Sequence, residues 1–445
     1  MLKQPIPAVE APPALSPEIP KETANTAAVL GFRDLVRERL AREPYPPGYV
    51  VSTRWQHMID RALDDVASMD AKQIALRGLA SGDFDVGLPP ADVKHVQNMR
   101  AKHVAAHPEL ANISESSLAP PGSTATCEGG ITFSHGLEQM FDFYDHIVSG
   151  IGSQHMPYVV EIGSGSGRLA RVLRLAGRGQ HFTLIDLPQS LVFSFAFLRL
   201  HFPDERLKVI GSRADIYPGM ERDFDFVFCP VQFLDALRPE TVDLVVNTYS
   251  LGEMQQGCVD HLMRFIHSTL RPRYFFSLNS IFIDKNLHFA ESGRTGEGNE
   301  IVLKLEATWW PHTFRLHKSL ENGSWRSEVA TVLERVSLPE DQLVADLIAA
   351  AAEHKTGSDM WLGLMYMAAM GALDTTVIDD FLDGLRARHV ADGIDQSPHY
   401  RFDTIGEVQF LRRRSAAILC CADLNRRERH PAPWSIGQCG ISGNS

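Results

Sequence analysis

The sequence has few cysteines, and the six it has do not form the pattern of a metal site. They are Cys127, Cys229, Cys258, Cys420, Cys421 and Cys439, and they lack the paired spacing of zinc ligands. A disulfide framework is not expected in a chain of 445 residues, because such frameworks mainly stabilise small secreted domains. We therefore expect reduced thiols, no bound metal and a cytoplasmic protein.

Long apolar runs and excess basic charge are also missing. No run approaches the roughly 18 consecutive apolar residues of a membrane helix, and the opening stretch MLKQPIPAVEAPPALSPEIP lacks the apolar core of a secretory signal. Lys and Arg number 43 against 55 Asp and Glu, which gives a net charge of −12. The missing apolar run argues against a membrane span, and the negative net charge argues against a nucleic-acid partner. The short basic runs at 411–414 and 425–430 are more typical of solvated helix faces.

Composition divides the chain into four regions. Residues 1–25 are rich in Pro and Ala and predict a disordered tail. Helical periodicity marks residues 26–119 and again residues 339–445. Between them, residues 120–338 alternate strand and helix patterns, which predicts an α/β domain. We expect this middle region to carry the site, and the helical extensions to provide the surfaces for any homo-oligomer.

Apolar runs in the middle region predict a mostly parallel sheet. They are YVVEIG at 158–163, HFTLIDLP at 181–188, LKVIG at 207–211, DFDFVFCP at 223–230, VDLVVNTYS at 242–250 and YFFSLNSIFI at 274–283. Few polar residues interrupt them, as in strands that are buried on both faces. The stretch from 304 to 329 predicts an antiparallel edge hairpin that turns at ENG, residues 321–323.

The first of these strands runs into the glycine loop of VVEIGSGSGRLARVL, residues 159–173. A phosphate-binding P-loop needs Lys and then Ser or Thr after its last glycine, but Arg168 stands there. A dinucleotide-binding fingerprint fails at the same position, because it requires glycine at 168. What remains is an acidic residue, Glu161, ahead of three alternating glycines, Gly163, Gly165 and Gly167. A carboxylate in this place suits a ligand with positive charge and no phosphate.

This acidic-x-G-x-G-x-G pattern resembles motif I of class I S-adenosylmethionine-dependent methyltransferases. Together with NTYSLGEM at 247–254 and YFFSLN at 274–279, it makes residues 120–285 similar to the bacterial sugar O-methyltransferase family. The resemblance implies a Rossmann-like α/β fold, S-adenosylmethionine as cofactor, and transfer of a methyl group to a hydroxyl of a sugar or glycan (EC 2.1.1.-). Two alternatives stay open, namely a polyketide, peptide or other small-molecule acceptor, and a scaffold protein without activity.

The resemblance also implies a set of cofactor contacts. Glu161 would meet the methionine amino group, and Asp186, at the end of the next strand, would accept hydrogen bonds from the ribose hydroxyls. The full set is Glu161, Gly163, Ser164, Gly165, Gly167, Asp186, Leu187, Gln232 and Asn247. The alternatives are a structural ion pair for Glu161, a turn or N-cap role for Asp186, and core packing for the residues around Gln232.

Residues on the acceptor side are expected around three other motifs. An alcohol must lose its proton on methylation, so a general base is expected, and Glu253, His135 and His312 are the candidates. Tyr249, Ser250 and Trp310 are the candidate substrate contacts. Alternatively, Ser250 and Glu253 form a helix capping box, and Trp310 packs with its neighbour Trp309. No compact cluster of metal ligands appears in the sequence, which favours a metal-independent base.

Overall fold

The computed structural model describes residues 21–49, 51, 53–80, 93–119, 122–152, 154–251, 254–283, 309–321, 324–339, 342, 343 and 346. The expected tail before residue 21, the helices expected after residue 346 and the candidate base Glu253 lie outside these residues. Within the described ranges, no helix combines the length and the apolar character needed to cross a membrane.

In the described part of the chain, four α-helices precede the first short strands. They are α1 (Lys21–Glu38), α2 (Thr53–Val66), α3 (Ala71–Ala80) and α4 (Val93–Ala106), and α1 begins inside the segment expected to be a tail. The helices α1 and α3 pack against the helix Pro188–His201 of the middle region. Phe32 meets Phe195 edge to face with ring centroids 5.2 Å apart, and a Cβ at Gly78 would lie 2.6 Å from Phe193 Cβ. The N-terminal helices are therefore fastened to the α/β domain by close apolar contacts.

The segment between α4 and the sheet has more structure than a plain connector. Two short antiparallel strands, β1 (Ala125–Thr126) and β2 (Thr132–Phe133), precede helix α5 (His135–Ile151). Glu115 accepts hydrogen bonds from Arg168 at 2.5 Å and from the Ser134 hydroxyl, and the Glu115 and Arg168 side chains are almost fully buried. This ion pair explains why arginine stands at 168, since it fastens the segment before α5 to the helix after the glycine loop.

The remaining elements form the α/β domain. In chain order they are β3 (Tyr158–Ile162), α6 (Arg168–Leu175), β4 (His181–Asp186), α7 (Pro188–His201), β5 (Leu207–Val209), α8 (Met220–Asp223), β6 (Phe226–Pro230), β7 (Leu244–Thr248), α9 (Gln256–Arg264), β8 (Tyr274–Ile283), β9 (Trp309–Glu321) and β10 (Ser324–Arg335). A π-helical stretch, Phe265–Leu270, continues α9, and short 3₁₀ helices lie at Leu40–Arg42, Pro108–Leu110, Glu128–Gly130, Arg213–Asp215 and Val231–Ala236.

The large sheet has the strand order β5-β6-β4-β3-β7-β8-β10-β9. All pairs from β5 to β8 are parallel, and β10 pairs antiparallel with both β8 and β9. The structure thus confirms a Rossmann-like, mostly parallel sheet with one antiparallel edge hairpin. The strand β3 pairs with β4 on one side and with β7 on the other. In open α/β sheets such a switch point creates a crevice beyond the carboxyl ends of the strands, where ligands bind.

Candidate functional site

Beyond β3 the chain turns through three left-handed glycines. Gly163, Gly165 and Gly167 have φ angles of 73°, 51° and 75°. Residues other than glycine rarely adopt this left-handed backbone conformation. The Gly163 N–H donates to the Ile185 carbonyl at 2.7 Å, and the Gly167 N–H donates to the Ser164 carbonyl at 2.8 Å. The loop therefore reverses direction tightly between the end of β3 and the start of α6.

The three glycines have different surroundings. A Cβ at Gly163 would lie 2.0 Å from Ser250 Oγ, and a Cβ at Gly167 would lie 3.1 Å from Leu198 Cδ1. A Cβ at Gly165 would meet no atom within 4 Å. Packing within the protein therefore accounts for Gly163, whereas Gly165 faces open space that a ligand could enter.

Replacing Gly163 with alanine is expected to destabilise the protein. Left-handed backbone strain costs a non-glycine residue about 1–2 kcal/mol, and overpacking against Ser250 adds about 1–3 kcal/mol. We expect Gly163→Ala to lower the free energy of unfolding by about 2–5 kcal/mol in urea titrations. Gly177→Ala is the matched control, because Gly177 has a φ of 71° with no atom within 4 Å of a Cβ, and it should cost only about 1 kcal/mol. Equal losses in the two variants would contradict a packing role for Gly163.

Two residues expected to contact ligands form internal hydrogen bonds instead. The Asn247 amide donates to the Ile162 carbonyl at 2.8 Å and to Ser250 Oγ at 2.5 Å. The Asn247 side-chain oxygen accepts from Asn279 at 2.9 Å and from the Leu251 N–H at 3.3 Å. Asn247 is fully buried. These bonds clamp the glycine loop to β7 and β8, so Asn247 and Ser250 support the site from behind.

Two carboxyl groups lie at the carboxyl ends of the neighbouring strands β3 and β4. Glu161 is 5% exposed, and its Oε2 has no hydrogen-bond partner among the described residues. Burial, with a smaller contribution from the charge of Asp186, raises the pKa of Glu161 to about 8. The ion-pair alternative therefore has no support in the described structure, since this carboxyl is left without a compensating cation.

Asp186 is held in place by the main chain. Its carboxylate accepts hydrogen bonds from the Gly165 N–H at 2.9 Å and from the Leu187 N–H at 2.7 Å. Burial outweighs these bonds and raises the pKa of Asp186 to about 6. The contact with Gly165 places Asp186 directly against the glycine loop, where the resemblance put the ribose.

Further buried polar atoms around these carboxyl groups lack partners within the described part of the chain. They are Ser164 Oγ, Gln189 Oε1 and Gln232 Oε1, on side chains that are at most 6% exposed. Gln189 follows Asp186 by one helical turn, and Gln232 follows Pro230, which pairs with Asp186. Buried polar atoms nearly always have partners. A cluster of orphaned ones at the switch point therefore indicates a place where a polar ligand binds.

An N-terminal segment covers this cluster, which sequence reasoning did not anticipate. We name residues 40–49, between α1 and α2, the α1–α2 connector. The Gln232 amide donates to the Leu40 carbonyl at 3.3 Å, and the Tyr45 hydroxyl lies near the Gln189 side chain. Burial raises the pKa of Tyr45 to about 12, and the charges of Asp60 and Asp186 contribute. In the sequence, the connector is marked only by the two tyrosines of YPPGY, residues 45–49. Local sequence patterns do not show which part of the fold such a segment contacts.

Two further predicted site residues, Tyr249 and His135, follow β7 and begin α5, respectively. Tyr249 follows β7 with a φ of 60°, and its N–H donates to the Leu278 carbonyl at 2.7 Å; strained backbone of this kind is enriched at functional sites. His135 begins α5, and its Nδ1 is 3.0 Å from Glu138 Oε2. A Cβ at the adjacent Gly136 would lie 2.1 Å from Arg168 Nη1, so His135 stands next to the helix that leaves the glycine loop.

The structure does not bring His312 and Trp310 to this site. They lie in β9, where Trp310 pairs with Glu334 of β10, and Glu334 pairs in turn with Tyr274 at the start of β8. His312 Nε2 is 2.6 Å from Glu334 Oε2. These residues are therefore at the amino end of β8 and near the outer edge of the sheet, opposite to the glycine loop. The hairpin register, which the local sequence does not reveal, is the reason.

Sequence and structure comparisons gave different results. No protein-family model and no curated protein sequence matches the chain. Among solved structures, the chain is similar to the N-methyltransferase NodS from Bradyrhizobium japonicum WM9 in complex with S-adenosyl-L-homocysteine, with 11% identity over 54% of this chain and 98% of that one and a TM-score of 0.29. It is also similar to the methyltransferase domain of bacterial Hen1, CtHen1-CN, with 14% identity over 43% and 99% and a TM-score of 0.28.

A third solved structure, precorrin-6y C5,15-methyltransferase from Geobacter metallireducens GS-15, shares 14% identity over 48% of this chain and 94% of that one, with a TM-score of 0.25. At such scores and identities the likeness says nothing about substrate. The function must therefore be derived from the residues at the switch point.

Proposed function

We propose that the protein is an S-adenosylmethionine-dependent methyltransferase. The observation that carries this proposal is the buried carboxyl of Glu161 at the glycine loop, whose Oε2 has no hydrogen-bond partner among the described residues and which lies beside Asp186. The ammonium group of S-adenosylmethionine would supply the partner that Glu161 Oε2 lacks, and its ribose hydroxyls could donate to the remaining lone pairs of Asp186. A phosphate-bearing nucleotide would be repelled by both carboxyl groups, since like charges in a buried site are unfavourable.

The residues present fit this cofactor. Glu161 Oε2 would accept a hydrogen bond from the ammonium group of the cofactor, and Asp186 would accept hydrogen bonds from its ribose hydroxyls. The open space at Gly165 would admit the part of the cofactor that runs along the main chain of the loop. Ser164 Oγ offers a further polar contact. When bound, the cofactor would supply a methyl group on a sulfonium, and an acceptor oxygen could take this methyl in line while the neutral thioether leaves.

The chain's own contribution is mainly positioning. The clamp of Asn247 and Ser250 fixes the loop, and Tyr249 projects beyond β7 in a fixed left-handed conformation. Holding two reactants in the geometry of attack can supply on the order of 7–11 kcal/mol of the barrier. Rigid support behind the loop is therefore part of the proposed catalysis.

His135 is our proposed general base. Glu138 lies against His135 Nδ1, so an Nδ1–H donated to this carboxylate would leave Nε2 as a proton acceptor. Glu253 lies outside the described residues and His312 lies at the opposite end of the sheet, so our proposal rests on His135, whose neighbour Gly136 approaches the Arg168 side chain. The acceptor we propose is a hydroxyl of a sugar or glycan, which rests on the resemblance of the NTYSLGEM and YFFSLN motifs.

Replacing His135 is expected to slow methyl transfer without weakening cofactor binding. General bases contribute roughly a hundred- to ten-thousandfold, so His135→Ala should lower the transfer rate at least about a hundredfold. His155→Ala is the matched control, because His155 is exposed and lies after α5. Incorporation of a labelled methyl group measures the transfer rate, and calorimetry measures the affinity for the cofactor, so a loss of catalysis can be told apart from a loss of binding. An unchanged rate in His135→Ala would remove His135 from the mechanism.

The proposed function is tested by incubating the protein with methyl-labelled S-adenosylmethionine and fractionated cell glycans and metabolites. We expect base-stable label in a hydroxyl of a glycan or sugar fraction. Label confined to non-sugar metabolites would refute the acceptor class but retain the enzyme. Absence of cofactor binding in calorimetry would refute the methyltransferase itself.

A further inference from the structure

The carboxylate of Glu115 contacts the starts of both α5 and α6. Its Oε2 accepts hydrogen bonds from Arg168 at 2.5 Å and from the Ser134 hydroxyl, and its Oε1 accepts from the Ser116 N–H at 2.7 Å. Burial alone would raise the pKa of Glu115, but the charge of Arg168 and the two serine hydrogen bonds outweigh burial and lower this pKa. Glu115 therefore stays ionised in the folded protein, with both of its oxygens in use.

Arg168 connects Glu115 to the glycine loop. It is the first residue of α6 and directly follows Gly167, the last of the three left-handed glycines. The Arg168 guanidinium also lies against the first turn of α5, since a Cβ at Gly136 would be 2.1 Å from its Nη1. A carboxylate that holds this arginine therefore also holds the end of the loop.

Ser134 connects Glu115 to the helix that carries the proposed base. Ser134 is the N-cap of α5, directly before His135, and its Oγ accepts from the Leu137 N–H at 3.1 Å. A serine cap needs only this oxygen. The hydroxyl hydrogen is donated to Glu115 in addition, so the cap itself is fixed from outside the helix.

The segment that carries Glu115 is held on two sides. The Glu115 N–H donates to the Thr132 carbonyl of β2 at 2.7 Å, and Arg171 of α6 donates to the Ser114 carbonyl at 2.8 Å. Glu115 therefore cannot shift without moving β2 or α6, and its carboxylate is a fixed reference point between α5 and the loop.

We propose that Glu115 is a positioning residue that fixes the proposed base, His135, relative to the glycine loop. Its carboxylate does so by holding Ser134 and Arg168 at the same oxygen. This role rests on the proposed function, because it takes His135 as the base and the loop as the cofactor site. A displacement of about 1 Å between reacting groups can cost about a hundredfold in rate, and a link between α5 and the loop prevents such a displacement.

Ser134→Ala cuts this link while the pair of Glu115 and Arg168 stays in place. We expect transfer of label from methyl-labelled S-adenosylmethionine, into the fraction that the wild type labels, to slow at least about tenfold. Calorimetric affinity for S-adenosylhomocysteine should stay at the wild-type value. Ser116→Ala is the matched control and should keep the wild-type rate, because it also removes a buried hydroxyl that accepts a main-chain N–H, from Leu118 at 3.0 Å.

A double-variant cycle distinguishes positioning of the base from a general loss of structure. If Ser134 acts through His135, Ser134→Ala should cost nothing further in a His135→Ala background, because the effects of residues that act as a unit are not additive. The same fold-loss in both backgrounds would overturn the inference, since Ser134 would then act on another group.

The double variant Glu115→Gln/Arg168→Met tests the carboxylate itself. Glu115→Gln alone would leave a buried guanidinium unpaired, which is strongly destabilising, whereas removal of both charges is often neutral for stability. The double variant should melt near the wild-type temperature and still transfer methyl at least about tenfold more slowly, because α5 and the loop are no longer joined. A purely structural role for Glu115 would instead restore the rate together with the stability.

The same measurements separate this role from the proposed function. If the wild-type protein bound no S-adenosylhomocysteine and transferred no label, the proposed function would be refuted, and the role of Glu115 with it. If His135→Ala kept the wild-type rate, the base assignment and the role of Glu115 would both be wrong. A loss in His135→Ala with wild-type rates in Ser134→Ala and in Glu115→Gln/Arg168→Met would overturn the role of Glu115 alone.

Discussion

Asp186→Ala is expected to weaken binding of S-adenosylhomocysteine about a hundredfold or more in calorimetry. The Asp186 carboxylate is proposed to accept from two ribose hydroxyls, and each hydrogen bond to a charged group contributes about 1.5–3 kcal/mol. A loss of 1.4 kcal/mol corresponds to about tenfold in affinity. The change also frees the N–H groups of Gly165 and Leu187, which Asp186 now binds, so part of the loss would come through the glycine loop.

Two further variants separate the carboxylate from its effect on the loop. Asp186→Asn keeps an acceptor oxygen and the size of the side chain, so its affinity should fall between those of the wild type and Asp186→Ala. Asp235→Ala is the control. Asp235 lies on the 3₁₀ helix Val231–Ala236 and forms an exposed ion pair with Arg213, so this variant should bind the ligand like the wild type. Wild-type affinity in a folded Asp186→Ala protein, as judged by circular dichroism, would refute the cofactor assignment.

The sequence was sufficient to predict the sheet, because its signal is local. Strands that are buried on both faces are apolar throughout, and all six predicted runs became strands within a few residues of their expected ends. The edge hairpin at 309–335 was also correct. The alignment of β10 against β8 was not predictable, since it depends on contacts between distant segments rather than on the turn of the hairpin. His312 and Trp310 were therefore expected on the wrong side of the sheet.

The positions of candidate site residues could be predicted where one motif contains both the polar residue and the end of the strand that carries it. Glu161, Asp186 and the glycines stand at strand ends, and parallel strands bring their carboxyl ends together. Polar residues in the NTYSLGEM motif gave an ambiguous signal, because a buried Asn247 can serve the backbone as well as a ligand. The α1–α2 connector could not be placed at the site from sequence, since 192 positions separate Gln232 from its partner Leu40.

The Glu161 carboxyl is expected to link cofactor binding to pH. Its pKa is raised to about 8 by burial and by Asp186, so in the free protein it is mostly protonated below pH 8. An ammonium group binds the ionised form, and binding below pH 8 must release a proton. We expect the affinity for S-adenosylhomocysteine to rise by about tenfold per pH unit well below pH 8 and to level off as the pH passes 8, as measured by calorimetry in buffers of different ionisation enthalpy.

Stability of the ligand-free protein should change in the opposite direction. The pKa of Glu161 is higher in the folded protein than its ordinary value of 4.5, so between these values the folded state binds more protons than the unfolded state. The free energy of unfolding must then fall as pH rises from about 4.5 to 8, by at most about 1.4 kcal/mol per pH unit. Asp186, with its pKa raised to about 6, adds to this fall at the acidic end.

Glu161→Gln tests whether one proton is responsible for both trends. Glutamine keeps the shape of the side chain and cannot ionise, so the variant should bind the ligand more weakly at pH 8 and lose most of the pH dependence of affinity. Its unfolding free energy in urea should also stop falling between pH 6.5 and 8, where Asp186 is already ionised. If the affinity slope persisted while the stability slope disappeared, the ammonium would have to be bound by a group other than Glu161.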